Sequence, residues 1–199
     1  MSRPVAAALA ALVLLAGCSA SKHADGPPTF PNNPDHEQLV RAAHLEPCPA
    51  TSGAPAAGGL PDVTLHCLGK GPQVRMAALR GRPTLVNIWG SWCGPCQQET
   101  PYLQQAHARL GAKVRFLGVD TEDSANSALD FAAHARPPMR YPSVVDDDKA
   151  VLLGVHGPSA VPMTIFVGAD GRVVHLATHP YAGVDAVLAD VARYLGVRT

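Results

Sequence analysis

The chain has 199 residues, 47% of them hydrophobic, and its 16 basic side chains balance 16 acidic ones. That balance argues against nucleic acid as a partner and against a polybasic membrane patch. The length is that of one ordinary domain behind a leader, with ample apolar content for a packed core.

Arg3 gives a short positive start, and Val5 to Leu15 is an unbroken run of Val, Ala and Leu. Such a run is too short for a spanning helix and suits the apolar region of a signal peptide. Leu15-Ala16-Gly17-Cys18 follows and resembles the bacterial lipobox, in which cleavage precedes the cysteine and lipid joins its sulfur. The resemblance implies a signal peptide at 1–17 and a lipid anchor at Cys18, with an ordinary secretory signal as the alternative. Two or more acyl chains anchor stably where one does not. No second long apolar segment follows. The expected location is the cell membrane, lipid-anchored on the extracytoplasmic face.

Ser19 to about Gln38 is polar and rich in Pro and Asn, which predicts a flexible tether, so residues 18–38 are set apart from a domain over 39–199. Leu39 to Leu45 is expected to form a turn or two of helix. Pro47 to Pro61 reads as a flanking loop. Val63 to His66 alternates like an edge strand, Met76 to Leu79 reads as a helical turn, and Arg80 to Pro83 as a turn. Thr84 to Trp89 is nearly continuous in apolar residues, as in a central strand buried on both faces. A helix is expected from about Cys96 to Leu110, a second buried strand over Lys113 to Val119, and an amphipathic helix over Ser124 to Ala135. That helix would be capped by Asp123 or Ser124, with Leu129 and Phe131 inward. Ser143 to Val145 is a short strand or extended loop. Thr164 to Val167 and Arg172 to Ala177 flank Gly168-Ala169-Asp170-Gly171, a hairpin signal. Val184, Val187, Leu188, Val191 and Leu195 fall at helical spacing. This order predicts an α/β fold, a central mixed sheet flanked by helices.

Chemistry concentrates in Ser91 to Pro101, SWCGPCQQETP. Two thiols with two residues between them stand where a buried strand passes into a helix. The helix start has unpaired N–H groups and partial positive charge, which stabilise a thiolate. Cys93 is therefore the expected exposed nucleophile, and Cys96, one turn in, the more buried resolving thiol. Pro95 suits the first helical turn, where its missing N–H is no loss.

Trp92-Cys93-Gly94-Pro95-Cys96 resembles the thioredoxin active site. With Val86-Asn87-Ile88-Trp89 before it and Gln97-Gln98-Glu99-Thr100-Pro101 after it, the pattern is more similar to the membrane-tethered TlpA/ResA/DsbE branch. The resemblance covers roughly Val74 to the C-terminus and implies a thioredoxin-like fold. It implies thiol–disulfide exchange with protein clients, usually as a reductase, with apocytochrome c among the clients and a membrane donor of the CcdA type. No cofactor or metal is called for. Asn87 falls where thioredoxin has a buried, proton-handling Asp. Asn cannot take a proton, whereas the branch carries a glutamate at the spacing of Glu99, which implies that Glu99 acts near the cysteine pair; the alternative is a surface carboxylate complementing the helix start. Val161-Pro162 precedes a core strand where these folds place a cis-proline, beside which a substrate chain adds as a strand. Trp92, Gly94, Pro95, Val161 and Pro162 are the candidate substrate contacts. Gly157-Pro158-Ser159-Ala160 lengthens the approach, and Met163 displaces the usual Thr.

Cys48 and Cys67 remain. Four cysteines allow three pairings, and sequence proximity favours 93–96 with 48–67. A structural disulfide at Cys48–Cys67 is expected, against a second redox pair or a zinc site with His44 and His66. Other functions were weighed. A disulfide-forming oxidase runs the same chemistry in reverse. A peroxiredoxin wants Thr where Gly90 stands. A copper-binding lipoprotein of the Sco type needs wider cysteine spacing and a partner His. A binding module would hold its cysteines as a staple.

Overall fold

The computed structural model describes residues 34–198. The signal peptide, Cys18 and most of the expected tether lie outside them. The first helix, α1 (Pro34–Ala43), begins inside the stretch expected to be tether. Asp35 and Glu37 complement its N-terminus and Arg41 its C-terminus. Leu39, Val40 and Ala43 fall on one face and pack on the core, and His36 Nδ1 lies 2.8 Å from Asn126 Oδ1. Tertiary packing, invisible in a polar, proline-rich composition, thus moves the start of the folded part to residue 34.

Strands β1 (Thr64–Cys67) and β2 (Val74–Arg75) pair antiparallel, and a short 3-10 turn follows at Met76–Ala78. Next come β3 (Thr84–Trp89), α2 (Gly94–Leu110), β4 (Arg115–Thr121), α3 (Ala125–His134), β5 (Ser143–Asp146), α4 (Ala150–Gly154), β6 (Met163–Val167), β7 (Val173–Ala177) and α5 (Val184–Leu195). The sheet order is β2-β1-β5-β4-β3-β6-β7. The β3, β4 and β5 strands are mutually parallel, and β6 and β7 return antiparallel as the expected hairpin. At its turn Gly168 N–H donates to Arg172 O at 2.9 Å, and Gly171 takes φ +88°, a conformation glycine adopts freely. The predicted edge strand β1 is in fact covered by β2, which is too short to show an alternating pattern.

All six residues of β3 are buried. Leu85 and Trp89 face a cluster with Leu103 of α2, Leu129 of α3 and Val187 and Val191 of α5. Val86 and Ile88 face the opposite cluster with Met76, Leu79, Val151 and Leu152. The two-residue period of a strand therefore divides one apolar run between two cores. Ser124 caps α3 by accepting from Ser127 N–H at 3.1 Å, Leu129 is buried, and Phe131 is half-buried with its ring 5.5 Å from that of Trp89. Cys48 and Cys67 are bonded, with Cα atoms 5.9 Å apart, tying the flanking loop to β1. That pairing occupies both sulfurs and removes the zinc alternative; among the described residues no three His, Cys, Asp or Glu side chains converge as a metal site.

Candidate active site

Cys93 is the N-cap of α2, with φ −86° and ψ 103°, and its sulfur accepts from Cys96 N–H at 3.2 Å. The helix starts at Gly94, two residues earlier than expected, because Pro95 fits its first turn and Cys93 itself caps it. Cys93 and Cys96 are bonded, with Cα atoms 5.2 Å apart. Cys96 is fully buried. Cys93 is only 4% exposed, so the expected exposed nucleophile is a rim atom. Its side chain belongs to the core cluster against which Val161 packs. Gly94 and Pro95 are exposed above it.

The loop before the pair hangs from the end of β4. Trp92 Nε1 donates to Thr121 O at 3.2 Å, and Ser91 N–H donates to Asp123 Oδ2 at 2.6 Å. A Cβ at Gly90 would lie 2.5 Å from Trp92 Nε1, so this position admits only glycine if the indole is to keep its anchor. The rest of the Trp92 ring is 52% exposed. It forms one wall of a groove of about 300 Å³ with Leu153, Ala160 and Val161, rimmed by the Glu122–Lys149 ion pair at 2.9 Å. Leu153, from the unforeseen α4, is 55% exposed there. The Val161–Pro162 bond is cis, and Ile88 pairs with Met163 in the sheet register. Pro162 is therefore level with Trp89, at the end of β3 from which the cysteine loop leaves. The inserted Pro158, Ser159 and Ala160 are exposed beside the groove.

Below the pair, Glu99 is 1% exposed, not at the surface. It accepts from Asn87 Nδ2 at 2.8 Å and from Tyr181 N–H at 3.1 Å. Asn87 Oδ1 in turn faces the Tyr141 hydroxyl at 3.4 Å. Burial outweighs these donors and raises the Glu99 carboxyl to about 7. Glu99 follows Cys96 by one helical turn on the same face. Asn87 thus occupies a position where it orients a carboxyl instead of supplying one. Sequence reasoning missed Tyr141 and Tyr181, which give only a hydroxyl and a backbone amide to this network. It also missed Asp120, whose sole signal was a charge inside the apolar run Phe116 to Val119.

These features define a thioredoxin-fold protein with a dithiol at a helix start and a buried acid behind it. A family model described as Redoxin matches residues 55–191, and the chain belongs to the Redoxin family. It is 31% identical over 114 residues to the thiol:disulfide interchange protein CycY of Rhizobium leguminosarum bv. viciae, covering 57% of this chain and 59% of that one. It is 28% identical over 109 residues to the thiol-disulfide oxidoreductase ResA of Bacillus subtilis (strain 168), covering 54% and 59%. A secreted thiol-disulfide isomerase from Corynebacterium glutamicum superposes with a TM-score of 0.58 at 28% identity, over 65% of this chain and 81% of that one. The chain spans about 60% of the length of the curated relatives it matches. Among the described residues, no helix is long and apolar enough to cross a membrane.

Proposed function

We propose that this chain is a thiol–disulfide oxidoreductase that reduces disulfides in client proteins through Cys93 and Cys96. The observation that carries the reading is the bonded pair at the start of α2, with the buried Glu99 one turn behind it. In the reduced enzyme, the Cys93 thiolate attacks a client disulfide, forming a mixed disulfide and releasing one client thiolate, which is then protonated. Glu99 takes the proton of Cys96. The Cys96 thiolate attacks Cys93 Sγ, the second client sulfur leaves and is protonated, and the enzyme disulfide forms. Two electrons have moved from enzyme to client. Trp92, Gly94, Pro95 and the Val161–Pro162 edge receive the client chain as an added strand. The disulfide between Cys48 and Cys67 is structural in this reading.

The same reading puts the domain outside the cytoplasm, held by lipid at Cys18 after removal of residues 1–17, with residues from 18 to the start of α1 as the tether. The lipobox-like Leu15-Ala16-Gly17-Cys18 supports it. Reduction of apocytochrome c, fed by a membrane donor of the CcdA type, is the corresponding pathway; its support is the motif resemblance and the printed names of the relatives. A second reading, a disulfide-forming oxidase or isomerase, is favoured by the name of the Corynebacterium glutamicum neighbour. The reduction potential of Cys93/Cys96, read by alkylation in thiol buffers, separates them. A value near or below about −270 mV supports the reductase, and one near about −120 mV overturns it in favour of the oxidase. Labelling with radioactive fatty acid, lost in Cys18→Ser, tests the anchor.

A further inference from the structure

Asp120, in the last turnward part of β4, is 1% exposed, and neither of its carboxyl oxygens meets a hydrogen-bond donor among the described residues. Its lateral neighbours are Trp89 on β3 and Val145 on β5, which bring no charge. The charges that reach it are those of Asp123 and Asp147, both negative, and no cation offsets them. The nearby Lys149 is engaged with Glu122 at the groove rim. Burial first, then the charge of Asp123, its hydrogen-bonding contact and the charge of Asp147, all favour the neutral acid and raise it to about 8. A neutral carboxyl has one O–H to donate, and Asp123 is the acceptor in contact with it.

Asp123 is not an idle neighbour. One of its oxygens takes Ser91 N–H at 2.6 Å and the other takes Ser124 N–H at 2.8 Å. Ser91 carries the loop into Trp92 and Cys93, and its carbonyl is held by the Gln97 side-chain amide at 2.6 Å. We infer that Asp120 is a positioning residue whose protonated carboxyl donates to Asp123 and so fixes the Asp123–Ser91 contact that sets the Trp92–Cys93 loop. Loss of the Asp120 proton removes that donor and puts two carboxylates in contact with a third charge nearby. Asp123 then turns away and Ser91 N–H loses its acceptor. The consequence for Cys93 reactivity rests on the redox reading above; the link from Asp120 to Ser91 does not.

The test is an NMR titration of the oxidised wild-type protein, following the Asp120 carboxyl carbon and the Ser91 amide together. The expected result is a carboxyl midpoint above neutrality and a Ser91 amide shift with the same midpoint. In Asp120→Asn, whose side-chain N–H₂ donates at every pH, the Ser91 shift should be flat from about pH 6 to about pH 9. In the reduced wild type, Cys93 alkylation should show an extra inflection at that midpoint, absent in Asp120→Asn. An Asp120 carboxyl that titrates below about pH 5 overturns the inference, as does a Ser91 amide that ignores its titration. Both outcomes are read in the wild type, so they hold even where the variant fails to fold. A protein with no reductase activity but with the coupled shifts would sink the redox reading alone.

Discussion

The two disulfides differ little as bonds and greatly in surroundings. Cys93–Cys96 closes 3 residues with Cα atoms 5.2 Å apart, and Cys48–Cys67 closes 19 with Cα atoms 5.9 Å apart. The first has a sulfur that accepts an N–H at a helix start, an exposed indole on one side and a raised carboxyl behind it. The second joins a loop to a short strand, with Cys48 packed among Val74, Val86 and Leu117. A helix start stabilises the thiolate state and so eases reduction, whereas apolar packing around Cys48 opposes a thiolate. Cross-linking alone therefore does not mark the working pair; the groups able to hold charge and move protons do.

The largest break in that comparison is removal of the sulfurs. Cys93→Ser should abolish disulfide reduction, and Cys96→Ser should accumulate a mixed disulfide with client, seen as a reducible higher-mass species. The double variant Cys48→Ala/Cys67→Ala should keep its turnover within about twofold at a temperature where it stays folded, because it leaves the helix start untouched. Equal losses from both pairs would erase the distinction.

Next in size is Glu99→Gln. A positioned general base contributes roughly 10²–10⁴-fold, so release of the mixed disulfide at neutral pH should slow by about 10²-fold. The wild-type release rate should rise with pH through about 7, as Glu99 ionises, and the variant should lack that limb. Stability carries the opposite sign. Because the folded carboxyl is raised, the native state holds an extra proton between the ordinary glutamate range and about 7, so stability falls as pH rises across that window. Denaturant midpoints of Glu99→Gln should be flatter than wild type there; parallel curves would show that Glu99 is ordinary in the folded protein.

Removing Cys48–Cys67 should cost about 3 kcal/mol in the chain-entropy model, read as a lower denaturant midpoint with unchanged redox potential of the other pair. The short Cys93–Cys96 ring constrains the unfolded chain less, about 2 kcal/mol by the same model, and reduction releases a thiolate that the helix start welcomes. Reduction of Cys93–Cys96 alone should therefore lower the midpoint by less than loss of Cys48–Cys67 does.

What the sequence revealed follows how local each cause is. The apolar run of β3, the Ala169-Asp170 hairpin, the spacing of α5 and the Cys-Gly-Pro-Cys motif are all contained in short windows. α4 was not foreseen because its first N–H groups at Ala150 and Val151 are taken by Asp146 at 2.9 Å each, while Lys149 at its N-cap takes a left-handed φ of 57° and offers no cap. Glu99 could be placed on the face of Cys96 but not buried, since one of its donors, Tyr181 N–H, lies 82 residues along the chain. Cys93 was expected in the open because a helix start usually is. Here Val161, brought over from the start of β6, packs on the cluster that holds it.

The smallest effect belongs to Trp92, and it tests whether the working pair depends on its exposed wall as well as on its buried acid. The indole is pinned at Thr121 O by one hydrogen bond of 3.2 Å, and about half of its surface faces the groove. Trp92→Leu keeps an apolar side chain and loses both the pin and the flat face. One neutral hydrogen bond is worth about 1 kcal/mol, and lost aromatic contact with a client adds a similar amount. KM for a folded disulfide-containing client should therefore rise a few-fold, roughly 5- to 10-fold. Reduction of a small disulfide such as oxidised dithiothreitol, which makes no use of the groove, should change by less than about twofold. An equal fall with both substrates would mean that Trp92 serves the placement of Cys93 and not the client, and the groove beside Leu153 and Val161 would lose its role as the docking edge.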